Sequence, residues 1–354
     1  MDIQTIRTLT PLEPLPSRVV FVCKHLDRWS DVLPPADGAG DRAVPAALDD
    51  DPDRVVTHED MTIVQTYVNL RRAGLDVLLV DRPLDGALNV VSSIDLQISD
   101  HTSQAFVVAF RGDWARPELA DLTLTMNAGI ATRRTETAMP HWIQTGLLPR
   151  DPSRGTRLER VVFKGDLVNL DPRFATDAFR EELAALGVEF AAQPYVHETK
   201  SSGWHDYRDV DAVLAIRAIA GAEMATKPAS KLINAWAAGV PALLGREPAF
   251  TELRRSDLDY VEIQSPADAI AAVRRLKEAP EQYAAMVQHG TCRAADYTNQ
   301  RVAERWREFL AGPAETAYRS WLTRSPRRRE AAFAVRAVRQ KISLFTFKRQ
   351  QSTR

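Results

Sequence analysis

Short runs of apolar and β-branched residues recur along the chain, separated by helical patterns and turns, and that alternation restricts it to α/β folds with parallel sheets. Residues 18–23 (RVVFVC) form an uninterrupted run of the kind found in a strand buried on both faces. Residues 75–80 (LDVLLV), 105–110 (AFVVAF) and 122–126 (LTLTM) repeat the pattern. Between the first two, Pro34, Pro35, Gly38, Gly40, Pro45 and the acids 49–51 predict a long loop. Thr57 then predicts an N-cap, with Asp60 in the first turn of a helix that reaches Ala73 and stops at Gly74.

Residues 136–158 lose all periodicity and contain Pro140, Gly146, Pro149, Pro152 and Gly155, the composition of a linker. The alternation restarts beyond it, with strands expected at 160–163, 188–191, 212–216, 240–244 and 260–263 and helices at 175–186, 229–238, 267–278, 281–295 and 300–310. A length of 354 residues is room for about two domains. The expectation is therefore two Rossmann-like α/β lobes facing a cleft, 1–150 and 151–312, followed by a helical tail at 313–354.

Composition excludes several classes. Hydrophobic residues at 45% and charged residues at 26% match an ordinary globular protein and not a disordered or collagen-like one. No apolar stretch approaches the ~18 residues of a membrane span, and the first residues lack a secretory h-region, so the expected location is cytoplasmic. Cys23 and Cys292 are isolated, which predicts neither a disulfide framework nor a zinc site. The net charge of −1 conceals a basic tail, because from Arg319 onward eleven Lys or Arg face one acid, Glu330. Val335, Val338, Ile342 and Phe345 fall on one helical stripe there, which predicts either peripheral contact with the inner membrane face or packing on the first domain. Nucleic acid is not an expected partner, since the body is acidic and the tail lacks interleaved aromatics.

Residues 226–253 (TKPASKLINAWAAGVPALLGREPAFTEL) carry the densest signal. Pro228 suits a first helical position, Gly239 a left-handed stop and Pro241 the start of a strand. Lys227, Lys231 and Asn234 are spaced four and three apart, on one helix face. Free N–H groups and a positive dipole at a helix start, joined by two lysines, make a phosphate or diphosphate site, and a solvated surface turn is the competing reading. Arg217, closing the strand VLAI, stands where α/β sheets bind ligands, either as a second phosphate cation or in a salt bridge to Glu223 or Asp211. Trp204, His205 and Tyr207 suit stacking on a nucleobase or simple packing.

The string PASKLINAWAAGVPALL, with EPAFTEL and DYVEI after it, resembles the donor domain of GT-B glycosyltransferases over about residues 160–310. The resemblance implies transfer of a sugar from a nucleotide-diphosphate donor to an acceptor held by the first domain. It implies that Lys231 neutralises the diphosphate and that Asn234 faces the ribose or sugar hydroxyls. Many retaining members carry two glutamates with seven residues between them where this chain has Thr226 and Asn234, which leaves the stereochemistry open. For an inverting reaction Asp113, in the turn FRGDW after a buried strand, is the preferred general base. His25 and Lys24 come next, ahead of His58, His101 and His141. No P-loop or HExxH is present and no DxD-like pair stands in a convincing metal-binding context, so no metal or cofactor is predicted. A nucleotide-sugar epimerase and a non-catalytic sugar- or nucleotide-binding protein are the alternatives on the same fold.

Overall fold

The computed structural model describes residues 2–33, 44–193, 203–219 and 221–352. Pro34, Pro35, Gly38 and Gly40 of the expected loop lie outside the described residues. The chain forms two compact units, each built on a wholly parallel sheet.

The first unit comprises Leu9–Leu48, Val55–Pro140 and Asn299–Arg354. Its six described strands are β1 (Val19–Val22), β2 (Val77–Val80), β3 (Leu88–Ser92), β4 (Phe106–Arg111), β5 (Leu122–Thr125) and β6 (Glu136–Ala138), in the order β2-β1-β3-β4-β5-β6. The second unit comprises Met1–Thr8, Asp49–Arg54 and His141–Thr298. Its strands are β7 (Arg160–Lys164), β8 (Glu189–Gln193), β9 (Ala212–Ala215), β10 (Ala242–Leu244) and β11 (Val261–Glu262), in the order β11-β10-β9-β7-β8.

The division departs from the expected consecutive blocks. The boundary falls at residues 140 and 141, and everything from Asn299 onward returns to the first unit. Aromatic packing explains the return: Trp306 is fully buried, with ring centroids 5.9 Å from Phe21 of β1 and 5.9 Å from Phe110 of β4. The amino terminus goes the other way. Ile6, on the helix Ile3–Arg7, is buried in a core with Ile143, Leu147 and Trp236, and Arg7 Nη2 donates to the Leu147 carbonyl at 3.0 Å.

Strands β3 and β6 were not anticipated. Asn89 interrupts the apolar run of β3, yet it is completely buried because its side chain meets the Leu84 N–H and the carbonyls of Leu84, Ala87 and Phe106. Thr57 does cap its helix: its hydroxyl accepts from Asp60 N at 3.1 Å while Asp60 Oδ2 accepts from Thr57 N at 2.9 Å. That helix opens with a π turn at Asp60–Val64 before Gln65–Arg72, and Gly74 ends it at φ 79°.

Candidate functional site

In the second sheet the chain leaves β7 in one direction to β8 and in the other to β9, so the topological switch point lies between β7 and β9. A crevice outside the carboxyl ends of such strands is where α/β sheets take ligands. Three of the expected cations meet there. Arg217 follows β9 and forms a buried ion pair with Glu247, which follows β10. Lys231 reaches back to the end of β7, its ammonium 5.7 Å from the Phe163 ring centroid. Gly165 sits beneath it at φ 154°, where a Cβ would lie 3.3 Å from Lys231 Nζ. Lys227 Nζ lies 3.8 Å from Glu223 Oε1. Burial pushes the Glu247 carboxyl above its ordinary pKa, against the opposing pull of Arg217, Lys231 and Lys227. A cavity of about 240 Å³ opens beside this group, lined in part by Asp171, Arg173, Arg217, Glu247 and Gln264.

Arg217 therefore pairs with neither Glu223 nor Asp211, the partners weighed from sequence. Asp211 is taken by Arg150 and Arg154. The helix that carries Lys231 runs Ser230–Ala238 with Ala229 at its N-cap, so Pro228 stands just outside it and Lys227 follows the preceding helix Gly221–Thr226. The two lysines thus converge from different segments and do not share one helix face. Asn234 is buried and its Oδ1 accepts from Gln144 N at 3.0 Å, a contact that holds the helix of Lys231.

Of the nucleobase-stacking candidates, Tyr207 is buried, and Trp204 and His205 are part-exposed. Tyr207 is in the core, and Leu148 exchanges backbone bonds with His205 and Tyr207. The Trp204 indole donates to the Gln193 carbonyl at 2.7 Å. His205 Nδ1 stands 3.9 Å from Asp53, and burial lowers its pKa, with that carboxylate pulling the other way.

Lys164, at the end of β7, was not singled out by sequence because it closes an apolar strand without a motif around it. It is 4% exposed, and Nζ donates to Gln193 Oε1 at 2.5 Å, Asp206 O at 2.6 Å and Gly203 O at 3.0 Å. Burial lowers its pKa to about 7 from 10.5. Between those values the unfolded chain keeps a proton that the folded chain has released, so this residue makes stability rise with pH across the window, by about 1.4 kcal/mol per unit. Below about pH 7 both states hold the proton and the contribution is flat. The stability difference between wild type and Lys164→Met, read by urea denaturation, should follow that slope above neutrality and be constant below it. A difference independent of pH would contradict the assignment.

In the first sheet the switch point lies between β1 and β3. Lys24 and His25 follow β1, Ser92 ends β3, and Asp113 follows β4 one strand further on. His58 and Glu59 fold over this edge. His58 Nδ1 is 3.0 Å from Ser92 Oγ, and a Cβ on Gly112 would sit 2.2 Å from His58 Nε2, so only glycine allows this approach. Glu59 is buried and accepts from Lys24 N at 2.6 Å, and burial raises its pKa. Lys24 Nζ pairs with Asp100 at 2.6 Å, and burial lowers the neighbouring His101 to a pKa of about 4, so its imidazole is neutral at pH 7. His25 is exposed and Asp113 half-buried. Glu59 escaped the sequence reading because an acid in a first helical turn resembles ordinary dipole compensation.

The parallel order, the switch points and the cation group define a class: an α/β protein with clustered cations at the carboxyl edge of its second sheet. Residues 180–310 match the family model described as glycosyl transferase-like. Sucrose-phosphate synthase from Thermosynechococcus elongatus superposes with a TM-score of 0.53 at 10% identity, covering 87% of this chain and 100% of that one. HepE of Anabaena, solved with UDP, gives a TM-score of 0.47 at 10% identity over 85% of this chain and 100% of its own. TarM gives 0.46 at 10% identity over 63% of this chain, which spans 54% of TarM. No curated protein matches the sequence. The chain has the two-lobed α/β architecture of the GT-B fold.

Proposed function

We propose that this protein transfers a sugar from a nucleoside-diphosphate donor, with the diphosphate held by Lys231, Arg217 and Lys227. The observation that carries the reading is the convergence of these cations at the switch point of the second sheet, around buried Glu247 and beside a cavity. As the glycosidic bond to the donor breaks, negative charge grows on the leaving diphosphate. Preorganised cations stabilise that charge more than they stabilise the ground state. A guanidinium adds directional, paired N–H contacts to phosphate oxygens, and lysine adds a mobile point charge. His205, near the end of this edge, is proposed as a contact for the nucleotide. Asn234 supports the site by fixing the helix of Lys231 through Gln144.

On the first unit Asp113 is the proposed general base, taking a proton from the acceptor hydroxyl, and His25 is the second candidate. The edge built from Lys24, His58, Glu59 and Ser92 supplies polar contacts suited to a hydroxylated acceptor. Asp113→Asn should leave nucleotide affinity within about twofold and lower transfer by about 10²- to 10⁴-fold, measured as product formed from a panel of nucleotide sugars and candidate acceptors. Wild-type turnover of a donor with no acceptor present, unaffected by Asp113→Asn, would sink the transferase reading.

A further inference from the structure

We infer that the outer face of the carboxy-terminal helix docks the protein on an anionic membrane surface. This helix, Pro326–Ser352, packs one side against the first unit. Phe333 and Ala337 meet the core of the first sheet, Gln340 Oε1 accepts from Leu119 N at 3.0 Å, Arg336 pairs with buried Asp121, and Phe347 packs on Trp114 with centroids 5.0 Å apart. At 100° per residue the opposite side carries Val335, Val338, Ile342 and Phe345. These four are 53%, 58%, 60% and 68% exposed. The apolar stripe expected from sequence therefore exists, and it points away from the protein that the helix packs on. A docked helix has no internal reason to keep four large apolar side chains in water on its far side.

Charge selects the occupant. Arg339 borders the stripe on one side and Lys341 and Lys348 on the other, all exposed, and exposed Arg327, Arg328 and Arg349 stand toward its ends. Glu330 is the one acid on the helix. The apolar spacing of three, four and three would also suit a seam between two copies of this helix. Such a seam would bring basic flanks together with no acids to meet them, which disfavours self-association. A soluble polyanion would satisfy the charges and leave Ile342 and Phe345 in water. An anionic bilayer surface accepts both, burying the stripe at the headgroup boundary and attracting the flanks. No helix among the described residues is long and apolar enough to cross a membrane, so the contact lies in the interface plane.

The test is co-sedimentation of the full chain with phosphatidylcholine vesicles, with and without about a third of phosphatidylglycerol. Binding is expected only to the anionic vesicles and should fall steeply as salt rises. Ile342→Ser with Phe345→Ser should weaken it at least tenfold. Arg339→Gln with Lys341→Gln should weaken it roughly 25-fold, about fivefold per charge. Both pairs are exposed, so melting temperatures should not move; if the apolar pair perturbs folding, the charge pair and the salt series carry the test. Failure to bind anionic vesicles, or binding indifferent to both pairs, would overturn the inference. So would a solution dimer that the apolar pair converts to monomer, or capture by heparin from a protein that ignores vesicles.

Discussion

Asp211→Ala should lower the stability of the second unit by about 3–5 kcal/mol. Asp211 is fully buried at the start of the segment that becomes β9. Its carboxylate accepts from Arg150 Nε at 3.0 Å and Nη2 at 2.8 Å, from Arg154 Nε at 2.8 Å and Nη2 at 2.7 Å, and from the backbone N–H groups of Glu159 and Arg160 at 2.8 and 2.9 Å. Burial alone would raise its pKa, but these donors outweigh it and hold the carboxyl below its ordinary value. A group depressed in this way stabilises the fold above its unfolded pKa and ceases to do so as pH falls through the folded value. Removing the carboxylate takes the countercharge from Arg150, which is almost completely buried and keeps only backbone carbonyls as acceptors, and leaves Arg154 with the exposed Glu159 alone. Differential scanning calorimetry should show the transition of the variant lower by about 10 °C. A shift of less than about 2 °C would mean that the knot contributes nothing beyond what water supplies.

The parts of this structure legible in the sequence are those that depend on local chemistry. Thr57 with Asp60, Gly74 and Gly239 each announce a helix end through a backbone requirement, and β1, β4 and β9 announce themselves as apolar runs because a parallel sheet covers both faces. Strand β3 does not, because Asn89 is satisfied by partners five and seventeen residues away. The partner of Arg217 is thirty residues on, so Glu247 could not be chosen over Glu223 or Asp211 by proximity in the chain. The tail presents a different case. Its apolar stripe was visible from spacing alone, while the face that docks is held largely by single contacts such as Gln340 to Leu119 and Arg336 to Asp121, which carry no periodic signal.

The second large effect concerns the donor edge. Lys231→Ala should weaken nucleoside-diphosphate binding by about ten- to a hundredfold, the worth of a charge-assisted contact of about 1.5–3 kcal/mol. Its melting temperature should be unchanged, because the half-buried ammonium lies over the Phe163 ring at the sheet edge and not within the core. Arg217→Ala should lose affinity and stability together, since it leaves Glu247 buried with its principal countercharge removed. That contrast separates a cation serving ligand from one serving both ligand and fold.

Isothermal calorimetry of the full chain against UDP, GDP, ADP, CDP and dTDP tests the diphosphate site. The expected result is saturable one-to-one binding of at least one diphosphate, much weaker binding of the matching nucleoside, and a ten- to hundredfold loss in Lys231→Ala at unchanged melting temperature. Binding that is equally tight for nucleoside and nucleoside diphosphate, or affinity that Lys231→Ala leaves intact, would contradict it.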